Sequence, residues 1–350
     1  MTEESQKMSA QDICFMKRCI QLARCGEEGA APNPMVGAVV VCDGCIIGEG
    51  YHRKCGGPHA EVNAIASVRD RQLLTRSTLY VSLEPCAHYG KTPPCADLIV
   101  AQRIPRVVIG CQDPFAKVDG LGIKKLRDAG IAVKVGVLEA ECRALNARFI
   151  TFHSLHRPWV TLKWAQSADG FIARADGSSV RFSTPFTQML VHRLRARHQA
   201  IMVGGRTALL DNPWLNVRQW HGTDPLRVVM ACHDQPLPPH LHLCQPSHTP
   251  TLVYQGRSVT EVLSNLHGKG IQSLLVEGGA TLLGAFLEAG CWDELRVEVA
   301  PFMLGTGIPS PAWPSHGMYA TADYGGNRVL VFRKNCSKDG SSKPIIPNFT

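Results

Sequence analysis

The sequence predicts an α/β protein that is divided into two domains. Helix and strand signals alternate along the first half, and a second cycle of alternation begins after Pro158. A chain of 350 residues is also long for one hydrophobic core. Finally, His59, Glu61, Cys86 and Cys95 place metal-ligand chemistry in the first half. We therefore expect a layered α/β domain with a metal site, followed by a second α/β domain.

In the first half, the metal motif coincides with predicted helix N-termini. Asp43-Gly44 is typical of a two-residue hairpin turn. His59 and Glu61 open one predicted helix, and Cys95 opens another, where the positive helix end favours a thiolate. The predicted helices are 13–26, 61–69, 95–101 and 122–129, and the predicted strands are 36–41, 46–50, 79–83, 107–110 and 132–137.

In the second half, the alternation resumes after a connecting segment with weak helical character. A Pro- and His-rich stretch, 233–250, is predicted to be a loop, because its histidines show no regular ligand spacing. The predicted strands are 159–163, 200–203, 227–230, 273–277 and 295–300, and the predicted helices are 187–197 and 281–289. We place the first domain at 1–145, a connection at 146–157, the second domain at 158–335 and a polar tail at 336–350.

Composition narrows the class of protein. Apolar residues make up 45% of the chain and charged residues 19%, and the net charge of +8 comes without a basic run. No stretch approaches the ~18 apolar residues that span a membrane, and the first residues lack an apolar signal region. The 14 cysteines are expected to be reduced thiols. Aromatic residues make up only 7% of the chain, and no basic cluster flanks the metal motif. We therefore expect a cytoplasmic protein that binds neither membrane nor nucleic acid.

The arrangement of His59, Cys86 and Cys95 predicts a catalytic zinc site. Three protein ligands leave the fourth tetrahedral position open for water, whose pKa zinc lowers towards ~7. Glu61 lies two residues from a ligand and is placed to carry protons. The H-x-E…P-C order is typical of zinc-dependent base deaminases. Scattered His and Cys in a Cys-rich chain can match by chance, but a structural zinc site has no use for Glu61.

The spacing between the two cysteines is unusual. Most such motifs end in C-x-x-C, whereas eight residues separate Cys86 from Cys95. This loop places His88 and Lys91 beside the metal, where they would hold a polar or phosphorylated substrate.

The second half has no G-x-G-x-x-G segment, so a Rossmann domain is not supported. Two Gly-Gly segments, 203–207 and 277–281, would allow close approach of a phosphate, although such a segment alone is more often a plain turn. The stretch 211–218 is explained as a loop cap. Lys163 and Asp169 are explained as a surface charge and a turn. From the residues alone, we can predict phosphate binding in this half but no particular reaction.

Several motifs together resemble the bifunctional riboflavin-biosynthesis deaminase–reductases. They are Pro32-Asn33-Pro34-Met35-Val36-Gly37, His59-Ala60-Glu61, the segment 84–95, Asp113-Pro114, Gly120-Leu121-Gly122, Leu162-Lys163, 167–170 and Val276-Glu277-Gly278-Gly279, in matching order over about residues 10–310. The resemblance implies a cytidine-deaminase-like zinc domain followed by a dihydrofolate-reductase-like domain. It also implies deamination of 2,5-diamino-6-ribosylamino-4(3H)-pyrimidinone 5′-phosphate, followed by NADPH reduction of the ribosyl group to ribityl.

The resemblance further implies a role for individual residues, with one Zn²⁺ per chain and NADPH as cofactors. Glu61 and Lys163 are the implied catalytic residues, and His59, Cys86 and Cys95 the zinc ligands. The implied deaminase substrate contacts are Asn33, His52, His88, Lys91 and Asp113. The implied reductase substrate contacts are Ser179, Arg195, Leu215, Arg218 and Glu277. The implied NADPH contacts are Ala165, Arg181, Thr207, Asp211, Gly279, Ala280, Thr281, Leu282, Leu283, Gly284 and Ala285.

Three departures from the family pattern leave alternatives open. Phe115-Ala116 replaces Asn-Pro, Arg181 stands where a tryptophan is common, and Asn212 replaces a frequent aspartate. The alternatives are an active deaminase with a degenerate second domain, a zinc-stabilised binding protein and a nucleic-acid base deaminase. Arg206 is the candidate partner for the 2′-phosphate that distinguishes NADPH from NADH. Family members are commonly oligomeric, so the resemblance implies a homo-oligomer. The sequence itself shows no decisive interface pattern.

Overall fold

The computed structural model describes residues 9–89, 93–115, 118–231, 237–245, 249–313 and 318–334. The chain divides into two compact units, Met1–His156 and Arg157–Thr350. None of the helices in the described part of the chain has the length and apolar character that crossing a membrane requires. Each unit is an α/β layer structure with its own sheet.

The first unit is built on a five-stranded sheet with the order β2-β1-β3-β4-β5. β1 runs antiparallel to β2 and β3, whereas β3, β4 and β5 are parallel. The strands are β1 Gly37–Cys42, β2 Cys45–Tyr51, β3 Thr78–Leu83, β4 Arg106–Cys111 and β5 Ala132–Val135. The helices are α1 Ala10–Arg24, α2 Ala60–Ala66, α3 Cys95–Ala101, α4 Leu121–Asp128, α5 Glu139–Leu145 and α6 Ala147–Leu155, with a short 3₁₀ helix at Arg71–Arg76.

Helices cover both faces of this sheet, which explains why β1 is buried at every position. Val40 faces the core formed with α2, α3 and α4, and Val39 faces the core formed with α1 and α5. Gly50 lies against α2 so closely that a Cβ there would meet the backbone of Ala64 at 2.3 Å. The hairpin β1–β2 therefore seats α2, the helix that begins at the zinc motif.

The predicted elements of the first half are present, with ends that differ by a few residues. The segment 146–157, predicted as a connection with weak helical character, contains α6, which groups with the first unit. Its aromatic side chains account for this, because Phe149 is buried and the ring of His153 packs on it.

The second unit contains an eight-stranded sheet with the order β10-β9-β8-β11-β6-β12-β15-β14. Neighbouring strands are parallel from β10 to β12, and β15 and β14 add antiparallel pairs at one edge. The strands are β6 Trp159–Gln166, β7 Phe171–Ala173, β8 Ala200–Gly204, β9 Leu226–Ala231, β10 Thr251–Gln255, β11 Ser273–Val276, β12 Glu294–Val299, β13 Ile308–Pro309, β14 Met318–Tyr324 and β15 Asn327–Arg333. The helices are α7 Pro185–Ala196, α8 Gly205–Asp211, α9 Val259–Gly268 and α10 Ala280–Glu288.

Several elements of the second unit escaped sequence prediction. α8 follows Gly204 directly, where a turn was predicted, and it begins with a glycine that is a poor helix former. β14 and β15 form a hairpin around Gly325 and Gly326, both with positive φ. Of the loop predicted at 233–250, the described residues contain only a 3₁₀ turn at His242–Cys244. The predicted tail lies outside the described residues.

Candidate active sites

The three predicted zinc ligands come together in the first unit. His59 has an extended backbone and caps α2, Cys86 lies beyond the end of β3, and Cys95 is the first residue of α3. Their ligand atoms all lie within 4.8 Å of one another. Nδ1 of His59 is 3.5 Å from Sγ of Cys86 and 3.4 Å from Sγ of Cys95.

These distances fit a tetrahedral zinc ion. With Zn–S bonds of about 2.3 Å and a Zn–N bond of about 2.1 Å, nitrogen and sulfur ligands are about 3.6 Å apart. Two thiols and an imidazole are also the donor types that zinc prefers. The backbone N–H of Cys95 donates to Sγ of Cys86 at 3.3 Å, which stabilises a thiolate at that sulfur.

Glu61 lies in the first turn of α2 and is only 3% exposed. Burial raises the pKa of its carboxyl to about 7, because the charged form loses its hydration. The neighbouring Cys95 thiol and the His59 imidazole favour the opposite change and counter only part of this effect. A carboxyl group in this position can accept or donate a proton near neutral pH.

Asn33 and His52 form a hydrogen-bonded pair beside the zinc ligands. Nδ1 of His52 lies 3.1 Å from the carbonyl oxygen of Pro58, and Nε2 lies 3.1 Å from the side-chain amide nitrogen of Asn33. Burial lowers the pKa of His52, which favours the neutral ring. The rings of His52 and His59 meet edge to face at 5.3 Å. The predicted contacts Asn33 and His52 therefore adjoin the metal site.

Asp113 follows β4 and is buried, and burial raises the pKa of its carboxyl to about 6. Its Oδ1 accepts the backbone N–H of Phe115 at 2.8 Å. Nδ1 of His88 is buried and has no hydrogen-bond partner among the described residues, so this atom is available to a ligand. Lys91, the predicted phosphate contact, lies outside the described residues.

Glu84 is a supporting residue that sequence reasoning missed. It is only 4% exposed, and its carboxylate accepts backbone N–H groups of Asp113 at 3.3 Å, Gly120 at 3.0 Å and Ile123 at 3.1 Å. It therefore connects the strand end before Cys86 with the loop that carries Asp113. The available signal was an acidic residue at the end of an apolar strand, directly before Pro85-Cys86.

At the departure from the family pattern, Phe115 takes part in ring contacts instead of amide hydrogen bonds. Its ring centroid lies 6.0 Å from that of His88 and 4.8 Å from that of His153. An aromatic ring that contacts two histidine rings therefore occupies this side of the loop.

In the second unit, the two Gly-Gly segments come together at the carboxyl ends of the parallel strands β8 and β11. The N–H of Gly204 donates to the carbonyl of Gly278 at 2.9 Å. A Cβ on Gly279 would lie 3.1 Å from Oγ1 of Thr207. The predicted cofactor residues from Gly279 to Ala285 begin α10, where free N–H groups favour an anion. Strand carboxyl ends are also where open α/β sheets bind ligands.

A cluster of charged side chains lies beside this region. Nε of Arg195 donates to Oε1 of Glu277 at 2.9 Å, and its Nη2 donates to Oε2 at 2.6 Å. Lys163, on β6, lies within the field of Glu277, Glu298, Arg195 and Arg296. Burial lowers the pKa of Lys163, while the two carboxylates raise it in part.

Asn216 contacts both arginines among the implied reductase substrate contacts, Arg195 and Arg218. Its backbone carbonyl accepts Nη1 of Arg195 at 3.2 Å, and its side-chain oxygen accepts Nη1 of Arg218 at 3.0 Å. Arg218 is exposed, whereas the side chain of Leu215 is buried in an apolar cluster under the sheet. Any contact that Leu215 makes with a ligand therefore runs through its backbone.

The remaining predicted site residues of the second unit are more exposed to solvent. Ser179, Arg181, Arg206 and Asp211 are exposed, whereas Ala165 and Thr207 are half-buried. Asn212, the third departure, accepts the backbone N–H of His242 at 2.7 Å through its side chain. Its amide oxygen thus has a structural contact in this chain.

Comparison with known proteins matches a stretch of each unit to a recognised domain family. Residues 9–111 match the cytidine and deoxycytidylate deaminase zinc-binding region, and residues 158–319 match the RibD C-terminal domain. The riboflavin biosynthesis protein RibD of Aquifex aeolicus is 38% identical over 320 residues, covering 85% of this chain and 89% of that protein. RibD of Escherichia coli (strain K12) is 38% identical over 330 residues, covering 85% and 89%.

Solved structures agree with these matches. The Thermotoga maritima diaminohydroxyphosphoribosylaminopyrimidine deaminase/5-amino-6-(5-phosphoribosylamino)uracil reductase is similar with a TM-score of 0.80 and 36% identity, over 92% of this chain and 98% of that one. Acinetobacter baumannii RibD is similar with a TM-score of 0.83 and 34% identity, over 92% and 98%. The predicted fold class, a cytidine-deaminase-like zinc domain followed by a dihydrofolate-reductase-like domain, is confirmed.

Proposed function

The chain belongs to the RibD family of riboflavin biosynthesis proteins, and we propose that it performs two successive steps on one phosphorylated pyrimidine. It is an enzyme with a zinc-dependent deaminase domain and an NADPH-dependent reductase domain. The proposed first substrate is 2,5-diamino-6-ribosylamino-4(3H)-pyrimidinone 5′-phosphate. Water replaces its ring amino group, ammonia leaves, and the ribosyl group of the resulting uracil is then reduced to ribityl.

The observation that carries the deaminase assignment is the convergence of His59, Cys86 and Cys95 beside the buried Glu61. Zinc, when bound to these three residues, supplies a Lewis acid that lowers the pKa of coordinated water towards ~7. Glu61 would carry one proton from water to the ring nitrogen and then the second proton of that water to the departing amine, which leaves as ammonia. Its buried carboxyl suits this transfer, since its pKa lies near neutral pH.

We assign substrate positioning in the first domain to Asn33, His52, His88 and Asp113. Three observations support this assignment: the Asn33–His52 pair adjoins His59, His88 presents a buried nitrogen without a partner among the described residues, and Asp113 is held by Glu84. Lys91 remains our proposed phosphate contact, on the basis of its charge and its place in the motif.

We assign the second domain's cofactor site to the two joined Gly-Gly segments. NADPH, when bound there, supplies the hydride. Thr207 and the start of α10 are suited to its phosphates, because Gly204 and Gly278 keep both chain segments close and free of side chains. Ala165, Arg181 and Asp211 complete the proposed cofactor contacts, with Arg206 as the candidate for the 2′-phosphate.

We assign the reductase substrate to the charged cluster. Arg218 is exposed and is suited to the phosphate dianion. Arg195 donates three of its five N–H groups to partners in the described part of the chain, and the other two are suited to the same phosphate. Lys163 lies beside Glu277, where its charge would act near the carbon that accepts hydride. Ser179 and the backbone of Leu215 complete the proposed substrate contacts.

We also propose a cytoplasmic location. The protein is proposed to be a homo-oligomer, which light scattering would test. None of the cysteines among the described residues forms a disulfide, which supports a reducing compartment. The match of both domains to RibD supports the deaminase–reductase over a nucleic-acid base deaminase.

A paired experiment tests the deaminase half. Zinc-loaded protein is given the diaminopyrimidinone ribosyl phosphate, and ammonia release is followed for Glu61→Gln and the control Glu49→Gln. Glu49 pairs with Arg18 at 2.7 Å near the surface and has no proposed catalytic part. We expect Glu61→Gln to keep its zinc and lose about a thousandfold in rate, whereas Glu49→Gln stays active. Undiminished release by Glu61→Gln would remove Glu61 from the mechanism.

A second experiment tests the reductase half with the deaminated uracil as substrate. Lys163→Ala is expected to slow NADPH oxidation about a hundredfold, whereas Lys269→Ala, at an exposed site after α9, is expected to have no effect. A wild-type protein that binds NADPH but never oxidises it with this substrate would contradict the reductase assignment.

A further inference from the structure

Glu298 is a buried acidic residue in the second domain that the proposed chemistry does not use. It is 3% exposed and lies on β12, the strand beside β6. The parallel register places Arg296 opposite Lys163 and Glu298 opposite Ala165, so all four residues share one face of the sheet. A carboxylate in such a place is costly unless it is paired and hydrogen-bonded.

Both oxygens of Glu298 are hydrogen-bonded. Oε2 accepts the hydroxyl of Ser183 at 2.7 Å, and Oε1 accepts the side-chain amide of Asn327 at 2.6 Å. The same amide donates to the carbonyl of Phe182 at 2.8 Å. Ser183, Glu298 and Asn327 therefore fasten residues 182–183 to β12 and β15, and we refer to these three residues as the Glu298 clamp.

The clamped segment, residues 182–183, lies between two sets of proposed ligand contacts. It directly follows the proposed ligand contacts Ser179 and Arg181, which are exposed. It directly precedes Thr184, whose hydroxyl accepts the N–H of Thr187 and caps α7. α7 in turn carries Arg195, so the clamp fixes the chain between two sets of proposed ligand contacts.

Glu298 also contributes charge to the site. The charged groups acting on Lys163 are Glu277 after β11, Glu298 and Arg296 on β12, and Arg195 on α7. The two carboxylates stabilise the charged ammonium group, and the two arginines oppose it. Loss of Glu298 leaves Glu277, already paired with Arg195, as the one carboxylate of this group.

We propose that Glu298 is a positioning residue of the reductase site, which acts by holding the chain at Ser183 and by keeping a negative charge beside Lys163. The proposal rests on the proposed reductase function for its kinetic consequences only. The clamp itself is a structural claim that stands apart from that function.

Two variants separate the hydrogen bonds from the charge. Glu298→Gln removes the charge and sets an amide donor against either Asn327 or Ser183. Ser183→Ala removes one hydrogen bond and leaves the charge in place. The matched control is Glu294→Gln, which removes a carboxylate from the same strand and the same face, where it pairs with Arg333 at 3.0 Å.

Kinetics and hydrogen exchange give independent readouts. For both clamp variants we expect KM for the deaminated substrate to rise about tenfold, because small displacements at a site are costly, while ammonia release stays at the wild-type rate. Only Glu298→Gln should also move the alkaline limb of the reductase pH profile to lower pH, since Lys163 loses a stabilising charge. Amides in peptides covering 182–190 should exchange faster in both variants than in Glu294→Gln.

Each outcome decides the proposal. Wild-type KM, pH profile and exchange in Glu298→Gln would overturn it. An equal shift of the pH limb in Ser183→Ala would overturn the charge effect, because that variant keeps the carboxylate. Should Glu298→Gln fail to fold, Ser183→Ala decides alone, and wild-type KM with wild-type exchange there overturns the clamp. An inactive wild-type reductase would refute the proposed function, yet the exchange comparison would still test the clamp.

Discussion

The side-chain amide of Asn33 donates to Nε2 of His52 at 3.1 Å, and this contact sets the tautomer of the ring. Nδ1 of His52 faces the carbonyl of Pro58, which can only accept, so Nδ1 carries the proton and Nε2 accepts from Asn33. Burial lowers the pKa of His52 and keeps the ring neutral. Asn33 thus has a fixed orientation, with its carbonyl oxygen directed away from His52.

Removal of this acceptor should weaken substrate binding in the deaminase. With His52→Leu, the Asn33 amide loses its partner and its fixed orientation, so we expect KM for the diaminopyrimidinone to rise about tenfold. Zinc content should stay at one ion per chain, as measured by metal analysis. Unchanged KM in a folded, zinc-loaded variant would show that the orientation of Asn33 has no part in binding.

Glu84→Ala should destabilise the first domain. The substitution leaves three backbone N–H groups without their acceptor, and unsatisfied buried donors cost about 1–3 kcal/mol each, so we expect a loss of about 3 kcal/mol after partial relaxation. Urea unfolding measures this loss, with the exposed Glu139→Ala as the control. A loss no larger than the control's would mean that water replaces Glu84 at no cost.

Arg218→Ala should remove recognition of the phosphate in the reductase. Because a charge-assisted pair with the dianion is lost, we expect KM for the phosphorylated substrate to rise about thirtyfold. KM for the dephosphorylated compound should hardly change, and Arg328→Ala, at an exposed position of β15, should behave as wild type. Equal effects on both substrates would assign Arg218 a part other than phosphate binding.

Asp12 anchors α1 to the sheet and makes the free energy of unfolding depend on pH in the acid range. Its carboxylate accepts the Tyr80 hydroxyl at 2.8 Å, Arg106 at 3.0 Å and Lys134 at 3.0 Å. Burial raises the pKa of Asp12, but these three partners outweigh it and lower the pKa below its ordinary value. Its stabilisation is therefore full above the unfolded-state pKa and is lost as pH falls through the lower folded-state pKa.

We expect Asp12→Asn to lower the free energy of unfolding at pH 7 by about 2 kcal/mol, since two cations lose their buried partner. The difference from wild type should shrink as pH falls below about 4. Urea titrations at several pH values check this, with Asp128→Asn in an exposed pair with Lys124 as the control. A difference that is independent of pH would contradict the charge-based explanation.

The zinc site was predictable because each ligand belongs to a local signal. His59 caps a helix, Cys86 follows a buried strand by three residues and Cys95 begins a helix, so the pattern of elements already implied convergence. Glu84 was not predictable as the anchor of the Asp113 loop. Its partners lie 29, 36 and 39 residues away, and hydrogen bonds to backbone groups leave no trace in their side-chain sequence.

In the second domain, too, contacts between residues distant in sequence could not be predicted. The Gly-Gly segments at Gly204 and Gly278 were each explicable as turns, and only the pairing of β8 with β11 makes them neighbours. β14 and β15 were missed, although β15 supplies Asn327 to the Glu298 clamp. Such contacts depend on strand order in the sheet, which local propensity does not encode.

The most direct test of the account is one assay that follows ammonia release and NADPH oxidation together from the diaminopyrimidinone ribosyl phosphate. Wild-type protein should produce both signals, with ammonia first. Glu61→Gln should produce neither, and addition of the deaminated uracil should restore NADPH oxidation in that variant. NADPH oxidation by Glu61→Gln without added uracil would contradict the order of the two steps, and ammonia alone from wild type would contradict a working reductase.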